Sequence, residues 1–436
     1  MKHAFREFAR YASLNALGML GFSCYILADT FFIAQGLGAD GLTALNLAIP
    51  IYSLVHGCGL MLGMGGATRY SICRGQRDND GASAAFVSLV YPAVLLVIIF
   101  VSAGLFFPTP LASLLGADAQ VLTMTATYLR VILLFSPAFL LNDILVCFVR
   151  NDGSPRLSMT AMLAGSFSNI ILDYVFIFPC QMGIFGAVLA TGLAPCISLV
   201  VLSFHRKHAG FGLRRCPVTP SLIGRMLALG LPSLVTELSS GIVILVFNFI
   251  ILGLCGNTGV AAYGVVANLS LVVIALLTGI AQGVQPLLSH AYGRNAQSDI
   301  RQLMRYLIVT VLTLSIAIYA LFIFCDTPVV AAFNSAQDAA LQSIAEDGLR
   351  LYFLAIPFAG CNIALSFFFT SIGRALPAHC ISLLRGLVLI VPMAFALSAL
   401  FALIGVWLTF PVTELLVTIC GVVLYWRSMR TSKPIK

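Results

Sequence analysis

The chain has 436 residues, of which 60% are hydrophobic and only 9% are charged, with a net charge of +8. This composition lies far outside the range of soluble globular proteins and excludes a soluble enzyme. The basic residues fall at alternate junctions between apolar segments, a placement that argues against nucleic-acid binding. No Walker motif, HExxH motif or CxxC pair occurs, so the sequence indicates neither ATP hydrolysis nor a zinc or redox centre.

Apolar runs long enough to cross a bilayer recur along the whole chain. Residues 87–107, 307–324 and 386–406 carry no charge over roughly 18–21 residues, the length that a hydrocarbon core requires of a helix. We therefore predict an all-α integral membrane protein with twelve transmembrane helices. In chain order they cover residues 11–36, 42–73, 83–107, 121–150, 156–180, 184–205, 222–254, 258–290, 301–325, 341–373, 377–401 and 403–427.

The charge at the helix junctions predicts the orientation in the membrane. Basic residues follow predicted helices 2, 4, 6, 8 and 10, whereas the opposite junctions are neutral or acidic. By the positive-inside rule, a multi-pass protein of the cell membrane with both termini in the cytoplasm is expected. The basic junction residues are Arg74, Arg77, Arg150, Arg156, Arg206, Lys207, Arg214, Arg215, Arg294, Arg301 and Arg374.

The chain contains an internal repeat. Each half holds six predicted helices, so both halves enter the membrane from the same side and form parallel repeats, an architecture of secondary transporters. We predict an N-terminal lobe at 1–207, a cytoplasmic linker at 208–221 and a C-terminal lobe at 222–436. The repeated residues are Gly65 and Gly75 with Gly283 and Gly293, 218 positions apart, and Arg130, Pro137, Asn142 and Gly153 with Arg350, Pro357, Asn362 and Gly373, 220 apart.

Five acidic residues lie within predicted spans, and each requires a partner or a wet cavity because an ionised group is unfavourable there. They are Asp29, Asp143, Asp173, Glu237 and Glu414. Glu237 and Glu414, near mid-span, either attract a cationic substrate or form a second coupling site; alternatively, polar neighbours such as Ser239, Ser240 or Thr413 satisfy them. Asp143 is expected to extend toward the cytoplasm. His56, the one histidine near mid-span, is typical of a helix-packing hydrogen bonder.

Several polar residues of the first half are predicted to lie at the same depth in the membrane. Asp29, Asp173 and Thr191 all lie roughly 10–12 Å below the outer surface, at about 1.5 Å per residue. Tyr25 and Asn169 precede the two aspartates by four residues and share their helix faces. The group suits a monovalent cation, with Na+ possible at Asp29, Asp173, Asn169 and Thr191, or a proton shared by the carboxylates. The alternative is a hydrogen-bonded network that locks helices 1, 5 and 6 together.

Particular motifs resemble those of a known family. The segment 29–38 (DTFFIAQGLG), the Asn169-x-x-x-Asp173 pair, the segment 186–191 (GAVLAT) and the plan of six plus six helices resemble the MATE (multidrug and toxic compound extrusion) family, in its DinF-like prokaryotic branch. The resemblance implies two six-helix lobes in a V that alternate between outward and inward openings. It also implies export of organic cations and other drugs against H+ or Na+ entry. The motif-matched coupling residues are Tyr25, Asp29, Asn169, Asp173 and Thr191.

The sequence departs from the family pattern at two places. Branch members usually supply an asparagine from helix 4, where Val146 aligns here, with Asn142 and Asp143 close by. Glu237 matches an acidic position of the NorM-like branch, but that branch's helix-10 aspartate is absent and Asn362 is the nearest polar residue. The candidate substrate or second coupling residues are Glu237, Glu414, Asn142 and His56.

Overall, the sequence predicts a cation-coupled multidrug antiporter. It would need no cofactor, its partners would be small drugs or toxic organic cations and the lipid bilayer, and a monomer is expected. Two alternatives are a flippase for lipid-linked saccharides, which predicts a larger basic cavity, and an intramembrane enzyme using His56 or a cysteine. A channel is a further alternative, which the duplicated lobes disfavour.

Overall fold

A computed structural model describes residues 2–207, 209–213, 216–334 and 337–430. Within these ranges the chain forms helices and short connections, without strands. The predicted linker residues at positions 208, 214 and 215 lie outside the described part. The predicted lobe boundaries at 207 and 222 therefore stay predictions.

The described residues cross the membrane twelve times. Eight helices are long and apolar enough to span it, and a helix pair bent by 49° forms a ninth span. Three of the eight are broken near the middle and cross twice. We number the spans in chain order: 2–37, 39–76, Asn79–Phe106, 122–151, Pro155–Ile177, Gly183–Ser203, 220–255, 257–293, Gln297–Phe324, 339–371, 375–401 and 403–430.

Several spans contain irregular or composite helix. The three broken helices are Lys2–Gln76, Pro220–Gly293 and Ile390–Arg430. Span 4 consists of Leu122–Leu134 and Ser136–Asn151, and span 10 of Ala339–Tyr352, a single 3₁₀ turn and Ile356–Ser371. Span 11 begins with Ala375–Leu383 and continues through a π-helical turn at Leu384–Val388. Short helices at Pro108–Leu114 and Asp326–Ala331 follow spans 3 and 9.

The backbone reproduces the sequence repeat. The helix breaks at Gly38 (φ 66°, ψ −156°) and Gly256 (φ 63°, ψ −157°) are 218 residues apart and nearly identical. Phe107 and Cys325, also 218 apart, both have φ −127° and ψ 24°. A positive φ favours glycine because it has no Cβ, and this explains the residue type at both breaks. The third break, at Ala402, has a φ of 48°.

The two lobes pack together at one end of the membrane, which we call the basic end because it carries the N-terminus, Arg74 and Arg294. Span 2 contacts span 7 there, and span 8 contacts span 1. A Cβ on Gly65 would collide with the Met226 carbonyl, and one on its repeat partner Gly283 would lie 2.5 Å from the Tyr11 carbonyl. Such close approach requires glycine, the small-residue packing common between membrane helices.

The lobe interface continues to the boundary of the membrane at the basic end. A Cβ on either Gly75 or Gly293 would lie 3.1 Å from the Cα of the other, so these repeat partners meet at the symmetry axis. The lobes are therefore closed together at the basic end.

Glycine substitutions on span 7 test this interface. Gly230→Ala places a methyl group against the Met61 carbonyl and 2.9 Å from Met61 Cα, so we expect it to destabilise the protein by about 1–3 kcal/mol. Gly224→Ala, on the same helix but with no atom within 4 Å of the added Cβ, is the matched control. It should be neutral or stabilising by about 1 kcal/mol through helix propensity. The apparent Tm of purified protein measures both, and equal shifts would contradict the close packing.

Candidate functional site

Two carboxyl groups meet inside the N-terminal lobe. Asp29 on span 1 and Asp173 on span 5 contact each other through their side chains, and they are 6% and 0% exposed. A carboxylate only accepts hydrogen bonds, so a bond between the two requires that one is protonated. The Oδ1 atom of each also lacks a partner among the described residues. The pair is thus able to take up a cation or exchange its proton.

Asn169 and Thr191 surround the pair. When the Asn169 amide is oriented so that both of its ends are paired, Nδ2 donates to Asp173 Oδ2 at 3.0 Å and Oδ1 accepts from the Thr191 N–H at 3.3 Å. Both residues are buried. The four-residue spacing from Asn169 to Asp173 places the two side chains on one face of span 5, as the sequence predicted. The structure brings Asp29, Asp173, Asn169 and Thr191 together, and their role in ion binding stays a prediction.

Tyr128 belongs to the same cluster although the sequence did not single it out. It lies on span 4, is 3% exposed and lies beside the Thr191 side chain, with Asp29 and Asp173 close enough to interact electrostatically. No motif marks this tyrosine. Depth along the helix was a signal that could have identified it, because it lies six residues into span 4, or about 9 Å at 1.5 Å per residue.

Tyr25 connects the carboxyl pair to the space between the lobes. It lies one turn before Asp29, and its hydroxyl shares a 2.7 Å hydrogen bond with Tyr52 on span 2. Within the described residues, the Tyr25 hydroxyl is thus bonded to Tyr52, while Asp29 lies near enough for an electrostatic interaction. Both tyrosines line a central cavity.

This central cavity lies between the lobes and holds about 1330 Å³ of free space, counting the part open to solvent. Spans 1, 2, 4, 5 and 6 line it from the N-terminal lobe, and spans 7, 8, 10 and 11 line it from the other. Its wall includes five phenylalanine and tyrosine rings together with polar side chains. The rings are Phe22, Tyr25, Tyr52, Phe139 and Phe367. A concave site that combines aromatic surface with polar groups is typical of small-molecule binding.

His56 and Asp143 form a pair at the cavity wall. His56 Nδ1 lies 3.0 Å from Asp143 Oδ2, and the side chains are 12% and 9% exposed. The imidazole is stacked between Phe22 and Tyr52, with centroid distances of 5.1 and 6.0 Å. The expectation that Asp143 extends toward the cytoplasm is wrong, because His56 on span 2 provides a partner within the membrane. His56 does form a hydrogen bond between helices, as predicted, and this bond lies at the cavity wall.

Glu237 and Asn142 also line the cavity. Glu237, on span 7, lies near enough to His56 and Asp143 for electrostatic interaction across the lobe boundary. Asn142 is half-buried, and its Oδ1 has no hydrogen-bond partner in the part of the chain described. Neither Ser239 nor Ser240 donates to the Glu237 carboxyl group, because their hydroxyls donate to the backbone carbonyls of Val235 and Glu237, respectively.

Glu414 is fully paired and faces away from the cavity. Arg385 on span 11 donates to Glu414 Oε1 through Nε at 3.0 Å and NH2 at 2.8 Å, and Asn362 Nδ2 donates to Oε2 at 2.6 Å. Arg385 was not predicted to be a partner of Glu414, for which only serine and threonine hydroxyls were considered. The sequence signal for this ion pair was an arginine inside span 11 together with a carboxylate inside span 12.

Arg150 closes the cavity on the side of the basic end. The sequence assigned it to a basic loop, but it is 1% exposed, and its NH1 donates to Asn15 on span 1 and to Gln282 on span 8 at 3.3 Å. Asn15 Nδ2 also donates to the Gly279 carbonyl at 2.8 Å. These bonds join the two lobes on the cavity side of the glycine contacts. The basic end is therefore closed by hydrogen bonds as well as by close packing.

The MatE family model matches residues 15–175 and 232–396, once in each repeat. The chain belongs to the MatE family. It is also 25% identical over 421 residues to the multidrug export protein MepA of Staphylococcus saprophyticus, covering 96% of this chain and 92% of that protein.

Solved MATE structures share the fold of this chain. A crystal structure of MATE in the straight conformation has a TM-score of 0.91 at 23% identity and covers 98% of this chain and 96% of that one. An outward-facing multidrug resistance MATE transporter of the MOP superfamily has a TM-score of 0.89 at 23% identity, covering 97% and 95%. These likenesses agree with an all-α membrane protein of two six-helix lobes.

The two repeats of this MatE protein differ at the carboxyl pair. Moving Asp29 by 218 positions leads to Phe247, and moving Asp173 by 220 leads to Met393. The C-terminal lobe thus has apolar side chains where the N-terminal lobe has its acidic pair. Among the described residues no group of three or more histidine, cysteine or acidic side chains is arranged for a metal. The candidate cation site therefore relies on oxygen atoms of amide and hydroxyl groups beside the two carboxyl groups.

Removing the amide that supports Asp173 tests the cluster. Asn169→Ala leaves Asp173 Oδ2 buried without its donor, so we expect a stability loss of about 1–3 kcal/mol. Asn142→Ala is the matched control, because that amide oxygen has no partner to lose. The apparent Tm of purified protein should fall for the first variant and hardly change for the second. An unchanged Tm for Asn169→Ala would contradict the assigned hydrogen bond.

Proposed function

We propose that this protein is a cation-coupled multidrug efflux antiporter. It exports lipophilic, often cationic compounds while H+ or Na+ enters. The family membership and the relative named as a multidrug export protein support drug export. The observation that carries the coupling is the buried contact between Asp29 and Asp173, with one unpaired oxygen on each.

The proposed orientation follows the positive-inside rule, with the basic end in the cytoplasm of the cell and both termini there. Because the glycine contacts and Arg150 close the lobes together at this end, we infer that the cavity opens toward the outside. Alternating access would then require the lobes to separate at the basic end and close at the other. We expect a monomer to suffice, because the cavity is complete within one chain.

Coupling requires that drug and ion favour opposite lobe arrangements. Asp29 lies on span 1, whose basic-end half packs against span 8 of the other lobe. A change of the ion at the Asp29–Asp173 contact therefore acts on a helix that takes part in the lobe interface. Uptake of H+ or Na+ from outside would rearrange span 1 and release the drug outward.

A chain of contacts joins the coupling site to the drug cavity. Tyr25, one turn from Asp29, shares its hydrogen bond with Tyr52, and Tyr52 stacks on His56 at an angle of 9°. His56 in turn pairs with Asp143. A cationic drug near Asp143 and Glu237 would thus be sensed by groups connected to Asp29, without any direct contact between drug and ion.

The alternatives receive less support. A flippase for lipid-linked saccharides predicts a basic chamber, but Glu237 and Asp143 line this cavity and its two arginines are each bonded to protein groups. An intramembrane enzyme would contradict the family membership and the similarity to the multidrug export protein of Staphylococcus saprophyticus.

Transport by reconstituted protein tests the coupling. Purified protein in proteoliposomes should export a fluorescent lipophilic cation under either an imposed pH gradient or an imposed Na+ gradient, applied separately. Asp29→Asn and Asp173→Asn should each reduce gradient-driven transport at least about tenfold, because neither variant can exchange the cation between two carboxyl groups. Their apparent Tm should remain close to that of the unmodified protein.

The matched control for these variants is Asp40→Asn. Asp40 is a carboxylate at the end opposite the basic end, and it accepts hydrogen bonds from Gln120 at 3.0 and 3.1 Å. Its replacement should leave transport unchanged. Full transport by both Asp29→Asn and Asp173→Asn would reject the assigned coupling site.

Drug binding is tested separately at Glu237. Glu237→Gln removes the acidic group of span 7 from the cavity wall, so we expect about tenfold weaker equilibrium binding of a lipophilic monocation. A fluorescent monocation is used as the ligand, and its fluorescence anisotropy with protein in nanodiscs measures this affinity. An unchanged Kd would show that the cation binds elsewhere.

A further inference from the structure

Two arginines occupy matching positions of the repeats near the end opposite the basic end, which we call the far end. Arg130 lies eight residues after the start of span 4, and Arg350 lies eleven residues after the start of span 10. Arg130 is therefore attached roughly 12 Å from the far end of its span, at about 1.5 Å per residue. A guanidinium at such a depth requires a partner, because the hydrocarbon region does not solvate its charge.

The C-terminal repeat supplies this partner from the protein itself. Arg350 Nε donates to Asp326 Oδ2, and Asp326 Oδ1 accepts from the Thr327 N–H at 2.7 Å. Asp326 is the first residue of the short helix Asp326–Ala331, which follows span 9. The ion pair thus joins this short helix to span 10.

The N-terminal repeat has no carboxylate at the corresponding place. The residue 218 positions before Asp326 is Pro108, the first residue of the short helix Pro108–Leu114. The backbone is the same at both places, since the residue before each short helix has φ −127° and ψ 24°, and both first residues are buried. A proline side chain accepts no hydrogen bond. Arg130 makes no hydrogen bond or ion pair with any residue that the structure describes.

The carboxylates near the start of span 4 have other partners. Asp118 accepts hydrogen bonds from the N–H groups of Gln120 and Val121 at 3.0 and 3.2 Å. Asp40 accepts two from the Gln120 side chain. Both lie outside span 4, whereas Arg130 lies two turns within it. Within the described ranges, the protein therefore leaves this guanidinium to a partner from its surroundings.

The face of span 4 that carries Arg130 points away from the lobe core. Arg130 is exposed, whereas Tyr128 and Leu129 on the other side of the helix are buried. Along the exposed face, Thr123 lies toward the far end and Leu134, 37% exposed, lies one turn deeper. This order from polar to apolar follows the order of a lipid from headgroup to acyl chain. A long cationic side chain on such a face extends toward the headgroups, whose anionic groups are phosphates.

We propose that Arg130 binds the phosphate of a phospholipid in the leaflet at the far end, and that this phosphate takes the place that Asp326 has in the other repeat. A guanidinium binds phosphate oxygens through directed, charge-assisted N–H donors, so a phosphodiester is a suitable partner. The site lies on the outer face of the lobe, apart from the central cavity and from the Asp29–Asp173 contact. It is therefore independent of the proposed transport mechanism.

The test measures the binding of single lipid molecules. Full-length protein in dodecyl maltoside is titrated with phosphatidylethanolamine, whose headgroup has no net charge and is not concentrated by the arginines of the basic end. Native mass spectrometry gives the Kd of the first lipid bound. Digalactosyl diacylglycerol with the same acyl chains is the phosphate-free lipid. The Tm in inorganic phosphate tests for a free anion, and the Tm of each variant checks its folding.

R130Q should bind phosphatidylethanolamine about tenfold more weakly, since a charge-assisted hydrogen bond is lost, while its affinity for the galactolipid changes less than about twofold. D326N/R350Q is the matched control, because it removes the ion pair of the other repeat, and it should bind both lipids as the unmodified protein does. Equal phosphatidylethanolamine affinity of R130Q and the unmodified protein overturns the site. An equal loss for both lipids also overturns it, since the phosphate is then not what Arg130 recognises. If inorganic phosphate raises the Tm of the unmodified protein but not of R130Q, and the lipid affinities do not differ, the ligand is a free anion and the lipid site is rejected.

The repeat supplies a second variant that retains the arginine. P108D places a carboxylate where Asp326 lies in the other lobe, so it should weaken phosphatidylethanolamine binding about as much as R130Q does, because an internal carboxylate competes with the phosphate. A folded P108D variant that binds this lipid as tightly as the unmodified chain contradicts the proposed equivalence. If P108D does not fold, the comparison of R130Q between the two lipids decides.

Discussion

The contact between Asp29 and Asp173 is the interaction on which the proposed activity of this protein depends. A bilayer interior does not solvate two carboxylates, and at hydrogen-bond distance they repel one another unless a proton or a cation lies between them. Asn169 donates to Asp173, and Thr191 and Tyr128 lie beside the pair, so none of the three neutralises it. An exchangeable proton or cation would therefore stabilise the cluster, and the proposed coupling depends on this exchange.

A nearly symmetric scaffold carries asymmetric chemistry. The helix breaks at Gly38 and Gly256 and the contact of Gly75 with Gly293 show that both repeats keep the same backbone plan. The polar side chains do not follow this symmetry. The acidic pair occurs in one repeat, and the Arg385–Glu414 ion pair occurs in the other. Symmetry provides the interface between the lobes, and asymmetry places the acidic pair proposed to bind the ion in one lobe, whereas the cavity proposed to bind drugs is lined by both.

In the proposed mechanism, the basic-end interface would link ion binding to drug release. Arg150 comes from the lobe with the acidic pair, and its bond to Gln282 crosses to the other lobe directly below the cavity. The sealing bonds are mostly between neutral side chains, whose net contribution is modest because water replaces them when the lobes separate. The glycine contacts add van der Waals packing over the same area. An interface of this kind closes tightly and still opens without leaving a charge buried and unpaired, apart from Arg150.

The sequence by itself determined the membrane class, the duplicated plan and the nearness of Asp29, Asp173, Asn169 and Thr191. These follow from hydrophobic length, from repeated residues and from depth along a helix of known rise, all of which are local properties. It did not determine the partners of His56, Glu414 or Arg150, nor the place of Tyr128. Those contacts join spans that are far apart in the chain, so the rotation and tilt of each helix decide them. Only the tertiary structure fixes these angles, because they result from the packing of all the spans together.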